Sequence, residues 1–323
     1  MNAGEQPLPA IVPRGENPGL EPLRPRRTAT WLPPAVRPTT VTYHPAPVPD
    51  SPMPQRGVPL LETETFQRVP VDPAIVTPRL QQVIITRFCE RSSYNQFLPP
   101  EPEWIDYRIT LTTELTARSV RSQWSARFEW WLLCDVTTSY ALLAQLRRLD
   151  PRVRIFLTGP ADVAPVAPEL ADRIAPSWSP RLVMHDDADI LAETSLDSDD
   201  IIHRAFLQDV EDEAAAFWAS GYPYWLRVPA SGYQFDPEQR RILRMTHPRS
   251  MFQTLFHRVA VSREPHTVRM EHGRAPYVYP GAAVYDRPSW MMVVHGGNVS
   301  NRMFKRELVT DWDELRAGFL LPE

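Results

Sequence analysis

Asp197-Ser198-Asp199-Asp200 places three carboxylates within four residues, between an apolar stretch at 190–196 and an amphipathic one beginning at Ile201. Carboxylates one residue apart at a strand end can converge on one hard divalent cation, which prefers oxygen ligands. Such an ion bridges the two phosphates of a nucleoside diphosphate and stabilises charge on a departing oxygen. The competing role is helix capping, since Asp is favoured at the N-cap and in the first turn. Three acids in four residues exceed what a cap requires. Far along the chain, His295 ends an apolar run at 290–294 and precedes Gly296-Gly297-Asn298. Imidazole suits Mn²⁺, glycines let backbone approach a ligand closely, and Asn298 and Asn301 can donate to phosphate oxygens. The acidic run and His295 are thus separate candidates to bind an ion such as Mn²⁺ or Mg²⁺. The plainer role for a single His at a strand end is structural.

Other residues compete or assist. His185-Asp186-Asp187-Ala188-Asp189 is a second acidic run, but no apolar helix follows it directly and it reads as a solvated loop. Arg87, just past the first strand, can meet a phosphate with its rigid fork or form a surface ion pair. Asp135, after the second strand, can accept from a ribose or base, or cap the helix that starts near Ser139. The aromatic segment 217–233, with Trp218, Tyr222, Tyr224, Trp225 and Tyr233, offers faces for a sugar ring, although core packing accounts for at least half of them.

These residues need elements to hold them. Residues 83–86, 128–134 and 153–157 read as buried strands, the last ended by Thr158-Gly159-Pro160. Further strands are expected at 181–184, 222–226, 268–270, 277–279 and 290–294. Helical spacing appears at Leu115, Val120 and Trp124, again at Leu142, Leu143, Leu146 and Leu149, and from Ile202 through Phe206, Val210, Ala214 and Phe217. Residues 161–180 are Ala- and Pro-rich and read as an irregular excursion. Short strands alternating with amphipathic helices imply an α/β fold with a mainly parallel sheet covered on both faces. Ligands of such sheets bind at the carboxyl ends of the strands.

Composition narrows the function. The 323 residues are 43% hydrophobic with 10 Trp, which excludes a wholly disordered chain. The formal net charge of -4 argues against a polyanion binder that works by bulk charge. Cys89 and Cys134 are too few for a disulfide scaffold or a four-thiolate zinc site, and a reducing cytoplasm is the expected compartment. No secretory signal and no membrane-spanning run is seen. Lys305 is the sole lysine, and no phosphate loop of the G-x-x-x-x-G-K-[ST] type occurs. Half of the 36 prolines fall within residues 1–80. Proline fixes φ and removes a donor, so residues 1–78 read as an extended arm or linker, with residues 79–323 as the folded domain.

Four segments also carry a resemblance. They are Thr86-Arg87-Phe88; residues 119–124 followed by Phe128-Glu129-Trp130-Trp131-Leu132-Leu133; Thr194-Ser195-Leu196-Asp197-Ser198-Asp199-Asp200 followed by Ile201-Ile202-His203; and Val294-His295-Gly296-Gly297-Asn298-Val299-Ser300-Asn301. In this order they resemble the putative rhamnosyltransferase family, bacterial glycosyltransferases of the GT-A type, over residues 81–305. The resemblance implies a GT-A-like fold and transfer of a sugar, rhamnose among the candidates, from a nucleotide-diphosphate sugar to a glycan or other hydroxyl acceptor. It implies that Asp197, Asp199 and His295 hold the metal, while Arg87, Asp135, Asp200, Asn298 and Asn301 bind nucleotide and sugar. An inverting reaction also needs a general base. Glu271 is the candidate, with Asp286 and Glu238 as rivals. The alternative is a structural protein of a larger assembly, such as a phage-like particle, that docks through its arm. A metal-dependent nuclease is disfavoured by the near absence of lysine and the acidic balance.

Overall fold

The computed structural model describes residues 57–61, 77–90, 102–261, 273–295, 309 and 312–321. The chain divides into Met1–Pro49 and Asp50–Glu323, and every described residue lies in the second unit.

In chain order, β1 (Gly57–Leu61) and β2 (Leu80–Cys89) are followed by α1 (Pro102–Leu111), which runs through a π turn at Thr112–Thr116 into α2 (Ala117–Arg121). Next come β3 (Glu129–Asp135), α3 (Tyr140–Arg147), β4 (Val153–Thr158), β5 (Arg173–Ala175), β6 (Ile190–Ser195) and β7 (Ile201–Ile202). Helix α4 (Phe206–Ser220) leads to β8 (Tyr224–Pro229), β9 (Ser231–Asp236), β10 (Arg241–Thr246) and β11 (Thr254–Arg258). Strands β12 (Gly281–Val284) and β13 (Trp290–Val293) precede α5 (Trp312–Phe319).

The strands form two sheets. The larger has nine strands in the order β1-β12-β8-β11-β6-β2-β3-β4-β5, and β6 through β5 pair in parallel. The smaller has the order β10-β9-β13-β7. Side chains alternate between the faces of a strand, and here both faces are buried. Ile84, Trp130 and Leu132 pack with Leu143 and Leu146 of α3 and with Phe206, Val210 and Phe217 of α4. Val83, Ile85, Trp131 and Leu133 pack on the other side with Phe156, Trp178, Tyr224 and Tyr279. A third cluster joins the smaller sheet to Leu315 and Phe319 of α5.

The expected mixed α/β architecture with a mainly parallel central sheet is present, with local differences. Residues 181–184 are no strand: Pro180 opens a 3₁₀ turn at Pro180–Leu182, closed by Val183 N–H donating to Pro180 O at 3.1 Å. Proline suits that first position because its φ is preset and no donor is needed there. Residues 277–279 are likewise no strand: Tyr277 ends a 3₁₀ turn, Ala275–Tyr277, with Pro276 inside it. The strand in the Ala/Pro-rich excursion is β5 instead, held where Asp172 Oδ2 accepts from Ile155 N at 2.8 Å. Ile202 belongs to β7, and the helix begins at Phe206, because 201–202 pair with β13 before any helical turn closes. The first helical run starts earlier than its apolar spacing, at Pro102, and stops at Arg121; Trp124 lies outside it, exposed. Strand β1 arises within the proline-rich stretch and takes the sheet edge, where a missing backbone donor costs least. The expected strand at 268–270 lies outside the described residues.

Two tests follow from this packing. A Cβ at Gly232 would stand 2.2 Å from the Trp290 ring. That ring cannot give way, since it stacks on Phe252 at 4.9 Å and its Nε1 donates to Pro229 O at 2.7 Å. Gly232→Ala should therefore cost roughly 1–3 kcal/mol of stability by denaturant unfolding. His203 is held at a pKa of about 4 by burial and by the charges of Arg287 and Arg204. The unfolded chain takes up this proton near pH 6.5. Stability from this residue is then complete above about pH 6.5 and falls as the pH drops towards 4. His203→Gln should flatten the loss of Tm across that window.

Candidate functional site

The site grows from one strand pairing. As the chain leaves β6, Leu196 N donates to Ile85 O at 3.0 Å, which keeps it beside β2, and the turn closes with Asp200 N donating to Asp197 O at 3.2 Å. Strand β7 then runs antiparallel to β13, with Ile202 opposite Trp290 and Ile201 opposite Met291. Residues just before β7 must therefore lie beside those just after β13. Val293 N donates to Asp200 Oδ1 at 2.9 Å, and His295 Nε2 meets Asp199 Oδ2 at 2.9 Å.

Helix α1 covers this junction. Arg108 Nη1 reaches Asp199 Oδ2 at 2.5 Å and its Nε donates to Ser198 Oγ at 3.1 Å. The ring of Tyr107 meets that of His295 edge-on, with centroids 5.1 Å apart. The π turn after α1 is pinned to the same loop, because Thr112 Oγ1 lies 2.6 Å from Ser198 O and 2.8 Å from Arg108 O. Widened turns of this kind let a helix re-aim its side chains and recur at functional sites.

The three acids meet three environments. Asp197 is the half-buried one, and its Oδ1 accepts from Arg87 Nη2 at 3.4 Å. Burial alone would raise the pKa of Asp199, but the hydrogen bond from His295 and the charge of Arg108 outweigh it and hold the carboxyl below the usual range. Burial, followed by the charges of Asp199 and Asp197, pushes Asp200 well above that range, and its Oδ2 is buried without a hydrogen-bond partner. Asp200 is thus turned inward and spent on Val293, a structural position rather than a ligand-facing one in this arrangement.

Beside this cluster lies a cavity of about 430 Å³ at the carboxyl ends of β2 and β3. Cys89, Asp135, Thr138 and Ser139 line it from the sheet side, and Ile105 and Asp106 of α1 from the other. Asp135 Oδ1 accepts from Thr137 N at 2.9 Å, and Ser139 caps α3 by accepting from Leu142 N at 3.3 Å. This is the edge where parallel sheets take ligands.

Donor chemistry at Asp197, Asp199 and His295 suits a divalent cation in kind, with carboxylate oxygens and an imidazole nitrogen. The position itself is filled, because Asp199 Oδ2 is shared by Arg108 and His295. Among the described residues no three His, Cys, Asp or Glu side chains converge into a cage for an ion.

Other expected residues fall elsewhere. Glu271, Asn298 and Asn301 lie outside the described residues. Of the rival bases, Glu238 is exposed at the β9–β10 turn, close enough for its charge to raise the hydroxyl pKa of Tyr107 after burial has done so. Asp286 acts instead on Glu213. The run from His185 to Asp189 sits at the opposite, amino-terminal edge of the sheet, where Asp187 and Asp189 pair with Arg79 and His185 with Glu129. In the aromatic segment, Phe217, Tyr224 and Tyr233 are core residues, and Trp218, Tyr222 and Trp225 pack against the core. Arg108 and Tyr107 were not foreseen. The signal that points to their helix is the i, i+4 pair Ile105 and Ile109 beside Trp104.

Residues 91–307 match the protein family described as putative rhamnosyl transferase. No curated protein matches the chain. A crystal structure of 4-diphosphocytidyl-2C-methyl-D-erythritol synthase from Anaerococcus prevotii aligns with 76% of this chain and 97% of its own at 12% identity. Its TM-score is 0.28, too low to carry an argument. No described helix is long and apolar enough to cross a membrane.

The inward role of Asp200 is testable without a ligand. Asp200→Ala removes the acceptor of a buried N–H and should cost about 1–3 kcal/mol in denaturant unfolding. Asp200→Asn keeps an acceptor oxygen for Val293 and should cost clearly less.

Proposed function

This chain belongs to the putative rhamnosyl transferase family, and from that premise we propose that it transfers a sugar, rhamnose by the family description, from a nucleoside-diphosphate donor to a hydroxyl acceptor on a glycan. The observation that carries the reading is the meeting of Asp199 with His295, 96 residues apart in sequence, at 2.9 Å beneath a helix that also lines the cavity.

In this reading the nucleoside occupies the cavity at the ends of β2 and β3, with Asp135 and Ser139 as its polar neighbours. The diphosphate then lies towards Asp197 and Arg87, the more exposed part of the cluster. Asp197, Asp199 and His295 would hold Mn²⁺ or Mg²⁺. When bound, such an ion neutralises the diphosphate and stabilises it as a leaving group. Tyr107 packs on His295 and shields its ring. Of the candidate bases, Glu238, whose charge reaches Tyr107, could take the acceptor proton, and Glu271 stays a candidate from the sequence. Of the proline-rich residues 1–78, β1 belongs to the edge of the larger sheet, and those before it would serve as a docking arm for a protein partner.

A ligand that binds only the folded state raises its stability, by about 2.7 kcal/mol at a hundredfold excess over Kd. UDP-, GDP- and dTDP-sugars, each with and without Mn²⁺, should reveal one nucleotide class that raises Tm, and more so with the metal. Asp199→Asn should reduce transfer by on the order of 10²–10³-fold while leaving the fold intact. An absence of any shift across the panel, or full turnover in EDTA, would contradict the reading.

A further inference from the structure

Arg108 makes an unusual set of contacts for a residue at a candidate cation site. Its guanidinium holds Asp199 through Nη1 and Ser198 through Nε, two successive residues of the acidic turn. The pair is nearly sealed from solvent, with side chains 12% and 5% exposed. The guanidinium carbon also stands 5.1 Å from the ring centroid of Trp104 on the same helix. The carboxylate oxygen it binds is the one that His295 meets.

Three acids in four residues repel one another, and buried carboxylates are expensive unless paired. A fixed positive charge at this point lets the turn fold before any ligand arrives. The same charge stands in the way of a cation. A guanidinium and a divalent ion at one carboxylate oxygen repel each other and compete for its lone pairs, and this oxygen already has two contacts, so each weakens the binding of the other.

We propose that Arg108 is the resident counter-ion of Asp199, a positioning residue that holds the turn in its ligand-free form and must leave the carboxylate before a divalent cation can bind. Its stacking on Trp104 offers the guanidinium a place beside the site once it has left, next to the charge that a diphosphate brings in. Cation and donor then favour each other's binding, because the donor supplies a new anionic partner for the arginine released by the metal. This inference rests on the nucleotide-sugar reading above, and its test separates the two.

The measurement is Mn²⁺ binding to the full chain, read by the electron paramagnetic resonance of free Mn²⁺, with and without UDP, GDP or dTDP. It uses no turnover. Arg108→Gln removes the competing charge but keeps a hydrogen-bonding side chain. Without nucleotide it should bind Mn²⁺ at least about tenfold more tightly than the unmodified chain. The gain in Mn²⁺ affinity caused by nucleotide should be smaller in the variant than in the unmodified chain. Arg108→Lys keeps the charge but cannot reach both Ser198 and Asp199, so its Kd should fall between the two. That variant decides the matter if the glutamine form does not fold. Unchanged or weaker Mn²⁺ binding in folded Arg108→Gln, or in Arg108→Lys if only that folds, would overturn the inference while leaving a nucleotide- and metal-binding enzyme in place. Absence of Mn²⁺ and nucleotide binding in the unmodified chain would overturn both.

Discussion

A two-residue strand pairing carries the site. Ile201 and Ile202 lie against Met291 and Trp290, and this contact brings the acidic turn to the end of β13. It is reinforced on both sides. Asp200, one residue before β7, accepts from Val293 N, two residues beyond Met291, and Gly232 of β9 leaves room for the Trp290 ring. A pairing so short contributes little by itself, so its geometry comes from the packing around it. Phe252, Trp290 and the third core cluster under α5 supply that packing.

Electrostatics then sorts three adjacent carboxylates into separate roles. Asp197, half-buried and the most accessible of the three, meets Arg87. Asp199, buried, is held ionised by His295 and Arg108. Asp200, also buried, faces the charges of its two neighbours and shifts the other way. One loop therefore offers an outward charge, an ion-paired anchor and a backbone clamp. The order of the residues matters because successive side chains at a strand end point in different directions.

The parallel core was legible because its strands are continuous apolar runs between amphipathic helices. Residues 128–134 and 153–157 announced β3 and β4, and the Leu142–Leu146 face announced α3. Of the smaller sheet only β13 was legible, from its apolar run at 290–294, since β9 and β10 carry polar and aromatic residues without a clean alternation, as in Ser231-Gly232-Tyr233-Gln234. Ile202 misled because an apolar residue at helical spacing is equally at home in a strand. At the site, Asp197, Asp199 and His295 stood out by type and spacing. Arg108 did not, because an arginine on a helix normally reads as solvent-facing, and only the fold shows which carboxylate it meets.

The contact between Asp199 and His295 is the claim on which this account stands. A double-mutant cycle on unfolding free energy, built from Asp199→Asn, His295→Gln and the pair, measures it directly. Residues in contact couple by about 0.5–3 kcal/mol, whereas distant ones add to within roughly 0.3–0.5 kcal/mol. A coupling inside the first range is the predicted result. Additive losses would mean that the end of β13 does not reach the acidic turn, and the site as described would not exist.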